Sequence, residues 1–226
     1  MKSQISVLMN LAEIKIFRMT HINNIEHILQ NGVTHRNSPN HNPSYITIGD
    51  VSLINTRDTK QVKVDNGDFL DFHAPTITLG DFIPFYFGVK MPMLYVIQNG
   101  GNFVIKSTPA SRIVYIVCSV SRIINQHENY YFSDGHATDS LTSFYDKTRV
   151  NELEKIIDWD AIKAAYWGGQ DDLNVKRKKQ AEFLVFGDLA QNLIMGFVCY
   201  NDNAKNDLID FGDREHRIKV IPSAYY

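Results

Sequence analysis

The 226-residue sequence predicts an α+β fold. Segments of strand length and segments of helical period are both present, without the regular strand–helix alternation that a doubly wound sheet requires. Hydrophobic residues make up 44% and charged residues 21%, the balance of a chain with a real core. A chain this long buries most of its apolar surface without disulfide or metal staples, so one domain spanning 1–226 is expected.

The elements follow in order. Residues 14–19 alternate roughly as a strand. Thr20 then offers an N-cap for a helix with Ile22, Ile25, Ile28 and Leu29 on one face, and Asn31-Gly32 should stop it. Residues 35–44, with Pro39 and Pro43, read as a polar loop. Short alternating runs at 45–48 and 62–64 read as strands, and Asn66-Gly67 as a tight turn. Aromatics crowd the middle at Phe82, Phe85, Tyr86, Phe87 and Tyr95, but Pro84 and Pro92 argue against a regular central strand. Residues 112–120 form the best buried strand. Leu153, Ile156, Ile157, Ala161, Ile162 and Ala165 recur at helical spacing, predicting a helix over 152–167 that Gly168-Gly169 breaks. A polar stretch with the run Lys176-Arg177-Lys178-Lys179 follows, then strands at 181–186, 193–200 and 217–221.

Composition narrows the function. Lys and Arg number 23 against 25 Asp and Glu, a net charge of -2. That excludes a uniformly basic nucleic-acid coat but not a local basic site. Cys118 and Cys199 lie in apolar runs and read as buried reduced thiols. The apolar stretch at 82–97 is interrupted by Pro84, Gly88, Lys90 and Pro92, so it does not span a bilayer. The short N-terminal apolar patch has an early Glu13 and no small-residue cleavage site, so a soluble, cytoplasmic protein is expected. No glycine-rich phosphate loop, zinc-ligand spacing or Gly-x-Ser-x-Gly elbow is present, and the eight histidines are scattered, so no metal site is expected.

The remaining candidates each carry two readings. His21 falls where a strand meets a helix, either as an ordinary helix-start residue or as a ligand-binding imidazole beside free backbone N–H groups. Arg57 sits in the polar segment Asn55-Thr56-Arg57-Asp58, where a solvated arginine is the default. Glu182 opens an apolar strand; alternation puts it outward while Phe183 and Val185 face the core. The aromatic cluster from Phe82 to Phe87 is most simply core. The run Lys176 to Lys179 is either a solvated loop or a phosphate-contacting patch.

A set of ordered segments then gives the sequence a likeness. They are His21-Ile22-Asn23-Asn24-Ile25 with Ile28-Leu29-Gln30-Asn31-Gly32; Ile46-Thr47-Ile48-Gly49-Asp50 through Leu53-Ile54 to Arg57; Leu79-Gly80-Asp81-Phe82-Ile83-Pro84-Phe85-Tyr86-Phe87 with Pro92-Met93-Leu94; Phe132-Ser133-Asp134-Gly135-His136-Ala137; Asp158-Trp159; Gln180-Ala181-Glu182; and Gly196-Phe197-Val198-Cys199-Tyr200. In this order, from about residue 17 onward, the sequence resembles the DarT family of bacterial DNA ADP-ribosyltransferases, the toxins of DarT/DarG toxin–antitoxin pairs.

The resemblance implies an ADP-ribosyltransferase fold, with a split twisted β core, surrounding helices and NAD in a central cleft. It implies that His21, with its neighbours Ile22 and Asn23, contacts NAD, that Arg57 lies in the NAD-binding element, and that Glu182 is catalytic with Arg57. It implies that the loop before the glutamate, about 140–180, contacts single-stranded DNA, which makes Lys176, Arg177, Lys178 and Lys179 candidate DNA contacts. Gly168-Gly169-Gln170 and this basic run depart from better-known members. The implied co-substrate is NAD without a metal, the acceptor a thymine or guanine, and the cellular partner a DarG-like antitoxin. An enzyme of the same fold acting on protein or RNA, and a catalytically silent nucleic-acid-binding module, are the competing readings. The presence of His21, Arg57 and Glu182 together weighs against the silent one.

Overall fold

The structure is a computed structural model that describes residues 11–68, 75–101, 103–169 and 173–226. The N-terminal patch at 1–10 and Gln170 lie outside the described residues. In chain order the strands are β1 (Lys15–His21), β2 (Gln61–Lys63), β3 (Thr76–Thr78), β4 (Phe82–Tyr86) and β5 (Ile113–Ser119). They continue with β6 (Tyr130–Ser133), β7 (Phe144–Tyr145), β8 (Glu182–Phe186), β9 (Ile194–Cys199) and β10 (Ile218–Val220). The helices are α1 (Ile25–Asn31), α2 (Val51–Thr59), α3 (Pro92–Asn99), α4 (Val120–Ile124), α5 (Leu153–Ile156), α6 (Trp159–Lys163), α7 (Leu173–Lys179) and α8 (Asp202–Asp210).

Eight strands form one sheet in the order β10-β9-β5-β1-β4-β8-β6-β7, and β2 pairs with β3 separately. Neighbours run antiparallel except β9 and β10. β1 and β5 pair along their whole length, from Lys15 opposite Ser119 to His21 opposite Ile113. β1 meets β4 only at Phe17 opposite Tyr86. The sheet therefore splits between β1 and β4, and a cleft lined by Arg18, Pro84, Tyr86 and Glu182 opens at that split.

The split explains a departure from expectation. Pro84 sits mid-strand in β4, in the centre of the sheet, where proline is normally excluded. In an extended strand a residue's N–H and C=O point to the same side. The Pro84 carbonyl accepts from Arg18 Nη1 at 3.0 Å, so its missing donor faces the split rather than β8. The pairing of β4 with β8 stays intact, from Phe82 opposite Phe186 to Tyr86 opposite Glu182.

The main core lies on one side of the sheet, where Ile16, Ile116, Phe85 and Phe183 are buried together. A second cluster joins Tyr115, Ile113, Leu94, Ile97 and Tyr225. Strands expected at 112–120, 181–186, 193–200 and 217–221 are present within a residue or two of those limits. α1 ends where expected: Gly32 has φ 77°, and a Cβ there would lie 2.1 Å from the Leu189 carbonyl oxygen.

Four local expectations are corrected. β1 runs through Thr20 to His21, so His21 is the cap, its Nδ1 accepting from Asn23 N at 3.2 Å. Residues 45–48 form no strand; the Ile46 backbone is instead held by a side chain, Asn24, which accepts from Ile46 N and donates to Ile46 O, each at 2.9 Å. The helix expected over 152–167 is broken into α5 and α6, because Ile157 is extended and Asp158 caps the second piece through Ala161 N. Arg57 lies in helix α2, not a loop. Both cysteines are free and buried. Among the described residues no helix is long and apolar enough to cross a membrane.

Candidate active site

Glu182 opens β8 and sits at the foot of the split, its side chain only 1% exposed. Alternation along β8 does send Phe183 and Val185 into the main core. Glu182 nevertheless is not solvent-facing, because the opposite face is also covered: Leu184 packs there with Val62, Ile77 and Ala137. Both carboxylate oxygens are held. Oε2 lies 2.8 Å from Arg57 Nη1, and Oε1 accepts from Ala137 N at 3.1 Å. The backbone N of Glu182 donates to Ser133 Oγ at 3.1 Å, so the turn after β6 wraps the glutamate from two sides.

Arg57 comes from the last turn of α2. Asp50 starts that helix, accepting from Ser52 N at 2.9 Å and Leu53 N at 3.2 Å. Burial alone would raise its pKa, but the Ser52 hydroxyl and the capping N–H groups outweigh it and hold the carboxyl below the ordinary aspartate value. α2 docks closely because Gly80 has no side chain; a Cβ there would lie 2.8 Å from Asp58 backbone atoms. Arg57 is thereby drawn in to 15% exposure. One arm of its fork grips Glu182, while Nη2 is buried without a hydrogen-bond partner among the described residues. A forked donor with one arm spent and one arm open suits an anionic ligand.

The cleft around this pair measures about 360 Å³. Arg18, His35, Tyr86 and His136 are among its polar lining, with Asp50 and Asp58. Burial and the nearby Glu182 charge push the Tyr86 phenol up, so it stays a neutral donor. Burial pushes His136 below the ordinary imidazole value, with Glu182 and Arg57 acting in opposite senses, so its ring is neutral at neutral pH. His136 Nδ1 lies 2.9 Å from Thr138 Oγ1. His136 and Tyr86 fall inside segments already singled out in sequence, but only the fold shows that they share a cleft with Glu182.

The NAD-contact candidates around the end of β1 are separated by the structure. His21 lines an adjoining hollow of about 400 Å³, which shares Thr47, Ile48 and Gly49 with the main cleft. Burial and the Arg112 charge both lower the His21 pKa. Asn23 is exposed and accepts from Arg112 Nη2. Ile22 is fully buried in the core, so a side-chain contact from it to a ligand is ruled out by packing.

The basic run is corrected more sharply. It is helical, in α7, and three of its four cations are used internally. Arg177 is buried and pairs with Asp134 at 2.9 Å. Lys178 pairs with Asp158 at 2.8 Å. Lys179 is buried with Nζ on the Ile162 carbonyl at 2.8 Å. Only Lys176 of the four is exposed. Arg177→Ala should therefore cost about 1 to 2 kcal/mol of folding stability, read from urea unfolding, because Asp134 loses its charged partner but stays 22% exposed and keeps its bond from Ser143 N. A solvated arginine would cost under about 0.5 kcal/mol.

The histidines set a second expectation. His21, His127 and His136 all have pKa values lowered from 6.5, chiefly by burial. Just below that value the unfolded chain binds more protons than the folded one, so stability rises with pH across the window and is lost as pH falls. The Tm should begin to decline as pH falls toward 6.5 and fall further below it, before the carboxylates titrate. A Tm that rose on acidification through that window would contradict the burial of these rings.

Among the described residues no group of His, Cys, Asp and Glu could hold a metal ion. The mixed, split sheet with its surrounding helices is an ADP-ribosyltransferase fold. The family described as "ssDNA thymidine ADP-ribosyltransferase, DarT" matches residues 17–226. The chain belongs to that family of DNA ADP-ribosyltransferases. A "DNA ADP-ribosyl transferase" of Escherichia coli O127:H6 is 32% identical over 194 residues, covering 85% of this chain and 83% of the relative. One from Thermus aquaticus is 33% identical over 221 residues, covering 93% and 88%. The solved structure of Thermus sp. 2.9 DarT in complex with ADP-ribosylated ssDNA superposes with a TM-score of 0.77 at 26% identity, covering 94% of this chain and 96% of that one. The same protein in complex with NAD+ gives a TM-score of 0.73, covering 94% and 98%.

Proposed function

We propose that this chain transfers ADP-ribose from NAD to a thymidine base in single-stranded DNA, with Glu182 and Arg57 as its catalytic residues. The observation that carries the reading is the Glu182–Arg57 pair at the foot of the split, in a chain of this family. In the reaction the bond from ribose C1′ to the nicotinamide nitrogen breaks, and nicotinamide leaves with the bonding electrons. A nitrogen of the acceptor base forms the new bond to C1′ and loses its proton.

The transition state carries positive charge on the ribose ring, so a fixed carboxylate beside it stabilises it. Glu182 is already held by Arg57 Nη1 and Ala137 N and needs no reorganisation. Arg57 Nη2, buried and without a hydrogen-bond partner among the described residues, is the donor left for a phosphate oxygen of NAD once the side chain turns toward the cleft. His21, at the adjoining hollow, holds another part of the dinucleotide. A guanidinium is a poor base. His136, neutral and in the same cleft, is the better-suited group to accept the proton from the acceptor.

A base stacked in a duplex hides its edge, and extruding it costs a few kcal/mol. Incubation with NAD should therefore label a single-stranded oligonucleotide and leave its duplex form unlabelled. Equal labelling of the two would count against the single-strand assignment, and labelling of protein or RNA with DNA untouched would transfer the reading to another acceptor. The chain acts, in this reading, in the bacterial cytoplasm as one domain opposed by a DarG-like antitoxin.

A further inference from the structure

We infer that Tyr95, Trp167 and Tyr226, with Lys90 and Lys176, form a platform that holds nucleotides flanking the acceptor base. The inference rests on the DNA-transfer reading above and names a second binding surface for the same substrate.

The three rings are clustered and partly open. The Tyr95 ring centroid is 6.0 Å from that of Trp167 and 5.4 Å from that of Tyr226, both edge-on. Tyr95 is 46% exposed and Tyr226 40%. Hydrogen bonds fix the cluster. Trp167 Nε1 donates to the Tyr226 hydroxyl at 2.7 Å, and that hydroxyl donates to the Lys90 carbonyl at 2.7 Å. Gln98 holds the Tyr226 backbone on both sides, at 3.0 and 3.1 Å. Exposed rings kept rigid this way lose little entropy when something stacks on them.

Cations lie over the rings. Lys90 Nζ is 5.4 Å from the Tyr226 ring centroid, and Lys176 Nζ is 5.6 Å from that of Trp167. Aromatic faces interleaved with lysines are what a single-stranded nucleic acid needs, since its bases stack and its phosphates pair. A duplex presents no free base faces to such rings. With a net charge of -2, attraction to DNA must be local, and Lys90 and Lys176 supply two such charges at the rings.

The platform lies at the correct end of the sheet. Tyr86 is in register with Glu182, and Lys90 follows four residues later, within about 14 Å of chain. α7, which carries Lys176, ends just before Glu182. α3 turns Met93 and Ile97 into the cleft, while Tyr95 between them emerges on its outer face. A strand leaving the cleft thus crosses α3 onto the rings.

The test compares two single-stranded substrates, a trinucleotide with a central thymidine and a longer oligonucleotide carrying a single thymidine. Wild type should bind and modify the longer one with a lower KM. The Tyr95→Ala/Trp167→Ala variant should lose roughly tenfold or more of that advantage, the scale of one or two lost stacking contacts. Tyr95→Phe/Trp167→Phe should keep most of it. Lys176→Ala should reduce the logarithmic salt slope for the longer substrate by about one. Should the alanine variant fail to fold, quenching of wild-type tryptophan fluorescence by the longer oligonucleotide, and not by the trinucleotide, supports the platform. No quenching with either overturns it. If wild type modifies DNA but the folded alanine variant keeps the full length advantage, the platform is wrong and the transfer reading stands. If wild type modifies no DNA of any length, the transfer reading itself fails and the platform with it.

Discussion

Glu182→Gln should bind NAD and fail to transfer it. The amide is isosteric and still accepts from Ala137 N, so the turn after β6 stays in place. What is lost is the negative charge beside the ribose. Removing one preorganised electrostatic group costs about 10²- to 10³-fold in rate, and single-turnover transfer should fall by that factor. The dissociation constant for NAD should move far less, because the phosphates are held elsewhere. In cells the variant should be tolerated where wild type is toxic. A variant that kept near-wild-type transfer would reduce Glu182 to a buried strand residue with a structural ion pair.

Arg57→Ala should differ in kind, weakening NAD binding, lowering the rate and destabilising the fold together. Glu182 is 1% exposed and loses its charged partner, and breaking a buried pair from one side costs about 3 to 5 kcal/mol in closed sites. Here the cleft admits solvent to the arginine, so about 2 kcal/mol is expected from urea unfolding. The double variant Arg57→Ala/Glu182→Gln should regain part of that loss, since no buried charge is left unpaired. Arg57→Lys should not restore activity, because a single ammonium lacks the rigid planar fork that fixes one nitrogen on Glu182 and holds a second apart from it. Additive stability effects in this cycle would show that the two side chains do not act as a unit.

Local pattern was enough for elements that are buried by their own residues. β5 is apolar along its length, and Asn31-Gly32 ends α1 by backbone chemistry that sequence states directly. α2 was illegible because none of its residues is fully buried, so it shows no apolar stripe. Its one local sign was Asp50, a capping residue three before Leu53. Arg57 therefore looked solvated, although tertiary contact makes it the partner of a residue 125 positions away. The basic run misled for the same reason. Charge patterning suggests a solvated segment, but Asp134, Asp158 and the Ile162 carbonyl are brought to it only by the fold. Pro84 was misjudged because the proline rule assumes a sheet bonded on both sides, and this sheet is open on one. The ordered segments shared with the DarT family pointed to Arg57 and Glu182 where local pattern did not, and the fold brings those two side chains together.

The most direct test of the account is intact mass spectrometry of two single-stranded oligonucleotides after incubation with the protein and NAD. One contains a single thymidine, and the other has it replaced. The account predicts that the first gains the mass of one ADP-ribose while nicotinamide is released in equal amount, and that the second is unchanged. Release of nicotinamide with neither oligonucleotide modified, or modification of both alike, would contradict it.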